Sequence, residues 1–380
     1  MRTTFFNARV ITPETIISGG VVIEDDRIVN VFRGDGYEKE GTLKDCGGKY
    51  IAPGFVDIHN HGTADGLFFT SDPDEMERAA MLMARHGTTS VVPTSCSAAH
   101  DDVLSFLKTV KSVMGKNRGS KLPGAHLEGN YFNPEFAGAQ NPEFLYSPRE
   151  EEYMELIDTG IVLRVSASPE LPGACEMARK LSSMGILISM AHTGANYEEV
   201  RAAIDSGFTH MTHIYNAASF LSNCYFYPQI GACEASLLHD EITIEAICDG
   251  RHVPASLLKL MYKIKGADHM HAVTDAAIAG AGPGPLTFWG MDCLVEDDVC
   301  MLADRSAFAG SVTTQDKELK VLVQDADIPL TDAVKMLSLT PAKVIGLTGI
   351  GRIAPGYAAD LNVLDEKLDV IETYIDGKLF

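Results

Sequence analysis

The sequence predicts an α/β fold, a (β/α)8 TIM-type barrel carrying a small β-sandwich domain, and three observations lead there. Eight apolar strand candidates, at 55–58, 88–92, 122–127, 161–165, 186–190, 210–214, 242–247 and 270–273, follow one another along the chain. Between most of them lie segments at 73–85, 101–114, 173–184, 196–206 and 254–265 with helical apolar spacing, and strands alternating with such helices build a parallel sheet. Residues suited to metal binding gather where the runs end, and in a (β/α)8 barrel the active site forms at the C-terminal ends of the strands. A doubly wound sheet is the competing arrangement of the same units.

The chain opens with short alternating runs at 3–10, 18–23 and 28–31, bounded by Gly, Asp and Pro, which read as a small antiparallel sheet. That style returns after Pro341, with a turn at 351–356 and strands at 359–364 and 370–375. Residues 1–52 and 346–380 are therefore expected to form one β domain, and 53–345 the barrel. A chain of 380 residues, 46% hydrophobic, fits one large domain and one small one at roughly 100–200 residues per domain.

No apolar run approaches the roughly 18 residues of a membrane span, and residues 1–17 lack a signal-peptide layout, so a cytoplasmic protein without membrane contact is expected. The eight cysteines are scattered without a Cys-x-x-Cys pair, which argues against a disulfide framework or a zinc ribbon. A formal charge of −21 disfavours nucleic-acid partners.

The run ends carry the chemistry. The first closes on His59-Asn60-His61, and residues two apart on an extended strand point the same way, so both imidazoles can reach one point. The third ends in His126 and Glu128, and the fifth in His192. The sixth carries His210 and His213, the seventh leads to Asp249 and His252, and the eighth to Asp275. Neutral imidazoles with carboxylates suit zinc or a similar borderline divalent ion. His126 and His210 stand close to stronger candidates and read as supporting or packing residues. His86 reads as a helix-end residue, and His100, His239, His269 and His271, away from the strand ends, as structural.

Together these residues resemble the amidohydrolase superfamily and, within it, the N-acetylglucosamine-6-phosphate deacetylase family. The resemblance runs from Pro53-Gly54-Phe55-Val56-Asp57 through His126-Leu127-Glu128-Gly129, Ala191-His192-Thr193, Thr212-His213-Ile214-Tyr215-Asn216-Ala217, Asp249-Gly250-Arg251-His252 and Thr274-Asp275-Ala276 to Ala309-Gly310-Ser311 and Ala354-Pro355-Gly356. It implies that Glu128, His192 and His213 hold a metal ion. His59 and His61 would add a second ion bridged by Glu128, with Asp275 as a further ligand. One or two divalent ions per subunit are expected, zinc foremost, with Fe2+, Mn2+ or Co2+ as alternatives.

The implied reaction is hydrolysis of the N-acetyl amide of an amino sugar, foremost N-acetylglucosamine 6-phosphate. A bound divalent ion polarises the carbonyl and lowers the pKa of its water from about 16 to about 7. Asp275 would take a proton from the attacking water and pass it to the departing amine, as general base and then acid. Gln140 and His252 would hold the developing oxyanion and the sugar, with Asn216 and Ala217 beside them, and the resemblance also implies a homodimer.

The departures bear on the substrate. Phosphate-binding relatives carry an arginine after the Tyr-Asn-Ala segment, supplied across the dimer interface. Here the loop at 219–229 is aromatic, and no lysine or arginine occurs from Ala202 to Gly250. Arg251 is the candidate replacement. A charged hydrogen bond to phosphate is worth roughly 1.5–3 kcal/mol. The same chemistry on an unphosphorylated, galacto-configured or other N-acyl substrate is therefore the second expectation, and a non-catalytic scaffold the third.

Overall fold

The computed structural model describes residues 1–36, 40–288 and 290–380. Eight strands in chain order coincide with the eight runs: Phe55–Asn60, Thr88–Pro93, Ala125–Glu128, Val162–Ala167, Leu187–Met190, Phe208–Met211, Thr243–Ile247 and Met270–Val273. The first two pair in parallel, and the other six form one parallel sheet in sequential order. Parallel bridges Thr94–His126 and Ser90–Lys121 join the pair to one end of the sheet, and Asn60–Ala276 joins it to the other. The result is a curled parallel sheet whose strand ends face a common space.

The intervening helices follow from local signals. Pro73–Arg85 begins at Asp72, whose side chain accepts from the Asp74 amide, has proline in its first turn, and buries Met76, Ala79, Ala80 and Met83 on one face. Tyr197–Asp205 is closed by a reciprocal cap between Asn196 and Glu199. Ala255–His269 is interrupted at Gly266, where φ is +65°, so its regular part stops where the sequence spacing does.

Both chain ends join one eight-stranded sheet. Its order is Lys378–Leu379, Val370–Ile375, Leu361–Leu364, Tyr50–Pro53, Arg2–Ile11, Ile16–Glu24 and Arg27–Arg33, with Thr42–Asp45 on the side of Arg2–Ile11. The sheet is mixed rather than antiparallel, because Arg2–Ile11 runs parallel to Thr42–Asp45 and Tyr50–Pro53. Phe5, Val10, Val21, Ile23, Ile51, Leu361 and Val363 form its core.

Two small antiparallel sheets are among the elements that had no sequence expectation. A four-stranded antiparallel sheet, Gly284–Phe288, Met291–Glu296, Val299–Leu302 and Phe308–Ser311, follows the eighth strand. A hairpin, Ser222–Cys224 with Tyr227–Gln229, exposes Tyr225 (87%) and Phe226 (96%) at its tip. Among the described residues no helix is long and apolar enough to cross a membrane.

Candidate metal centre

Glu128 lies at the middle of the strand ends. His213 Nε2 approaches its Oε1 at 3.0 Å, His192 Nε2 at 3.3 Å and His59 Nε2 at 3.5 Å, while His61 Nε2 lies 3.4 Å from Oε2. Asp275 Oδ1 stands 3.2 Å from both His59 Nε2 and His61 Nε2. All six residues are buried. Ligand atoms disposed tetrahedrally at roughly 2.1 Å from an ion lie about 3.4 Å from one another, which is the spacing seen here. Two groups result, His59–His61–Glu128 and Glu128–His192–His213, sharing one carboxylate.

The opposite ring edges show why a cation fits. His59 Nδ1 is 2.8 Å from Glu245 Oε1, and His192 Nδ1 is 2.9 Å from the Phe136 carbonyl. Each Nδ1 faces an acceptor and so keeps a ring proton there, which turns Nε2 toward the carboxylate oxygens as the nitrogen that would ligate an ion. Acceptors facing acceptors need positive charge between them. Burial disfavours a charged His59, yet the Asp275, Glu128 and Glu245 carboxylates overcome it and raise its pKa to about 9. Burial likewise opposes an ionised Glu128, and His59, His192 and His213 hold it well below the usual carboxylate range. The pocket demands cations, and a divalent ion meets that demand.

Local backbone places these groups. Asp275, His192 and His213 have φ of +43°, +46° and +27°, turning each side chain inward just past its strand. A Cβ on Gly129, whose φ is +95°, would lie 2.2 Å from Ser97 Oγ, so the residue after Glu128 must be glycine. Asp57 ties the first strand to the eighth, accepting from Thr274 Oγ1 at 2.6 Å and from Asn60 Nδ2 at 3.2 Å.

The centre opens into a cavity of about 890 Å3 lined by His61, Glu128, Gln140, His192, His213, Asn216, Ala217, His252 and Asp275 among others. Gln140 Nε2 donates to Glu128 Oε2 at 2.7 Å while its Oε1 accepts from the Ser97 amide. His252 Nδ1 is held by Asp249 Oδ2 at 2.7 Å, leaving Nε2 as the free edge of the ring. Asn216 Nδ2 donates to the carbonyls of His213 and Ile214, bracing its own turn. Phe288 and Phe308 reach the wall from the unexpected antiparallel sheet.

Other expectations find different places. Arg251 is half exposed, 3.8 Å from Asp298, and is not among the lining residues. His126 is bonded to Ser166 and lies near Thr94, outside both ligand groups. His210 stacks on His271 one layer below the centre, and with Glu245 they make a third cluster. Sequence reasoning missed Glu245, Arg164 and Asp57. The available signal was a Glu and an Arg embedded in the apolar runs at 242–247 and 161–165, where an ionised side chain needs a buried partner.

A curled parallel sheet ending in clustered histidines and carboxylates defines a metal-dependent hydrolase, and the chain belongs to the amidohydrolase family, which matches residues 50–380. It is an enzyme of that family and falls with its N-acetylglucosamine-6-phosphate deacetylases. The Haemophilus influenzae protein of that name is 28% identical over 388 residues, covering 100% of this chain and 99% of its own. The N-acetylgalactosamine-6-phosphate deacetylase of Escherichia coli O157:H7 is 30% identical over 337 residues, 87% of each chain. Among solved structures, the Pasteurella multocida N-acetylglucosamine-6-phosphate deacetylase superposes with a TM-score of 0.94 at 26% identity over all of both chains. A mutant of the Mycobacterium smegmatis enzyme in complex with N-acetyl-D-glucosamine-6-phosphate gives 0.91 at 29%, covering 100% of this chain and 98% of its own.

Proposed function

We propose that this enzyme removes the acetyl group from an N-acetylated amino sugar, foremost N-acetylglucosamine 6-phosphate, giving acetate and the free amine. The observation that carries the reading is the cluster of His59, His61, Glu128, His192, His213 and Asp275 at the floor of a sugar-sized cavity. The whole-length likeness to an enzyme solved with that sugar supports it. The finer frame we infer is a closed (β/α)8 barrel at 53–345, with 1–52 and 346–380 forming the small domain, and a homodimer as the working form. Zinc is the ion of choice for a site of imidazoles and carboxylates.

When bound, the divalent ion supplies carbonyl polarisation and an acidified water. The chain's own groups do the rest. Asp275, 3.2 Å from two ligand imidazoles, accepts the proton released in the attack and returns it to the amine nitrogen. Gln140, its Oε1 fixed by the Ser97 amide, has only Nε2 to offer and donates it to the developing oxyanion. His252, braced by Asp249, offers Nε2 to the sugar.

A second reading is favoured by one observation. Among the described residues lining the cavity there is no lysine or arginine, while Asp102 and Glu135 are present. An unphosphorylated substrate suits those walls. The deciding experiment is acetate release by the zinc-loaded protein from N-acetylglucosamine 6-phosphate, the unphosphorylated sugar and N-acetylgalactosamine 6-phosphate. A kcat/KM at least about tenfold higher on the gluco phosphosugar, a difference of about 1.4 kcal/mol, supports the first reading. Equal or better turnover without phosphate, or with the galacto sugar, selects the second.

A further inference from the structure

Below the ligands lies a buried polar network that the proposed reaction does not use. Glu245, on the Thr243–Ile247 strand, is fully buried. Its Oε1 accepts from His59 Nδ1 at 2.8 Å and from the His213 backbone amide at 3.1 Å. Its own carbonyl accepts from the Ile214 amide at 2.9 Å. His59 belongs to one ligand group and His213 to the other. The second carboxylate oxygen, Oε2, is bound by Arg164 Nη1 at 2.6 Å. Arg164 is itself fixed by Ser189 Oγ at 2.9 Å and Thr212 Oγ1 at 2.8 Å, so the guanidinium draws on three neighbouring strands.

We infer that Glu245, locked in place by Arg164, is a positioning residue that sets one ligand of each ion group at once; this rests on reading the strand ends as a metal centre. Two physical requirements point to it. An imidazole ligates through a bare nitrogen only if its proton is held on the other one, and Glu245 Oε1 holds that proton on His59 Nδ1. His213 must keep a φ of +27°, which a non-glycine residue adopts only under constraint, and the bonds from His213 N and Ile214 N to Glu245 clamp that turn. The neighbouring cluster of Glu245, His210 and His271 is not itself read as an ion site, because Arg164 already supplies the cation at Oε2, the same oxygen that His210 Nε2 faces at 3.3 Å.

The test compares wild type with Glu245→Gln, which keeps the size but loses one acceptor oxygen. Arg164→Met/Glu245→Gln, which leaves no buried charge unpaired, is measured beside it in case the single variant folds poorly. Zinc affinity is read by chelator competition, ligand geometry by the visible spectrum of the cobalt-loaded protein, and fold by the unfolding midpoint of the metal-free protein. We expect zinc affinity to fall about 10- to 100-fold in both variants, with shifted cobalt bands, while the metal-free double variant unfolds near the wild-type midpoint. Wild-type zinc affinity and cobalt bands in the folded double variant would overturn the inference. A wild-type protein that binds no metal overturns the metal-centre reading instead, so the two failures are distinct.

Discussion

At the scale of single residues, the centre separates ligands from proton carriers. Asp275 contacts two imidazoles but shares the load with Glu128, so Asp275→Asn should retain metal while kcat falls by about 10^2- to 10^4-fold. Elemental analysis beside acetate release checks this, and near-wild-type turnover would remove Asp275 from the mechanism. Gln140→Ala should cost about 10^2-fold or more in kcat with zinc content unchanged, as expected for loss of an oxyanion donor. The ligand candidates were legible because each stands where an apolar run stops. Glu245 and Arg164 were not, because they pair across strands 81 residues apart and no local pattern joins them.

At the scale of elements, the sheet hides neutral histidines that link stability to pH. His210 and His271 stack with ring centroids 5.1 Å apart, and burial pushes them down to about 4 and about 3. As pH falls through about 6.5 the unfolded chain takes up protons that the folded chain refuses. Their contribution is therefore whole above pH 6.5 and declines below it, by roughly 1.4 kcal/mol per pH unit for each histidine until its folded pKa is reached. Unfolding midpoints between pH 7 and 5 should fall less steeply for His271→Phe than for wild type; an unchanged slope would contradict the assignment. The hairpin at Ser222–Gln229 belongs to this scale as well. In the homodimer proposed above, this exposed aromatic tip is a docking face, so Tyr225→Ser/Phe226→Ser should lower the sedimentation coefficient while leaving metal content intact, and an unchanged coefficient would remove the tip from the interface. Strand order and the main helices were legible from periodicity. The Gly284–Ser311 sheet was not recognised, because its short strands alternate only partly and follow the eighth run where another helix was due.

At the scale of the molecule, the terminal sheet is tied to the curled sheet by few charged groups. Lys121 Nζ reaches Asp360 Oδ2 at 2.6 Å and Asp376 Oδ1 at 2.9 Å, and Asp360 is almost wholly buried. Lys121→Met would strand that carboxylate, at a cost of about 1–3 kcal/mol after allowing for the partial exposure of the lysine. A lower unfolding midpoint, largely recovered in Lys121→Met/Asp360→Asn, would show it. The pairing of both chain ends was legible from the return of alternating runs, whereas this tie joins residues far apart in sequence and left no local trace.

Glu128 is common to both ligand groups, and that sharing makes their occupancies thermodynamically reciprocal. With an ion on each side, both would draw on the same carboxylate, and the factor by which the first altered the affinity of the second would equal the factor by which the second altered the first. Two ions would then neither load nor leave independently. A zinc titration of the metal-free protein should depart from the curve of two unlinked sites, and a chelator that strips one ion should change the hold on its neighbour by that same factor.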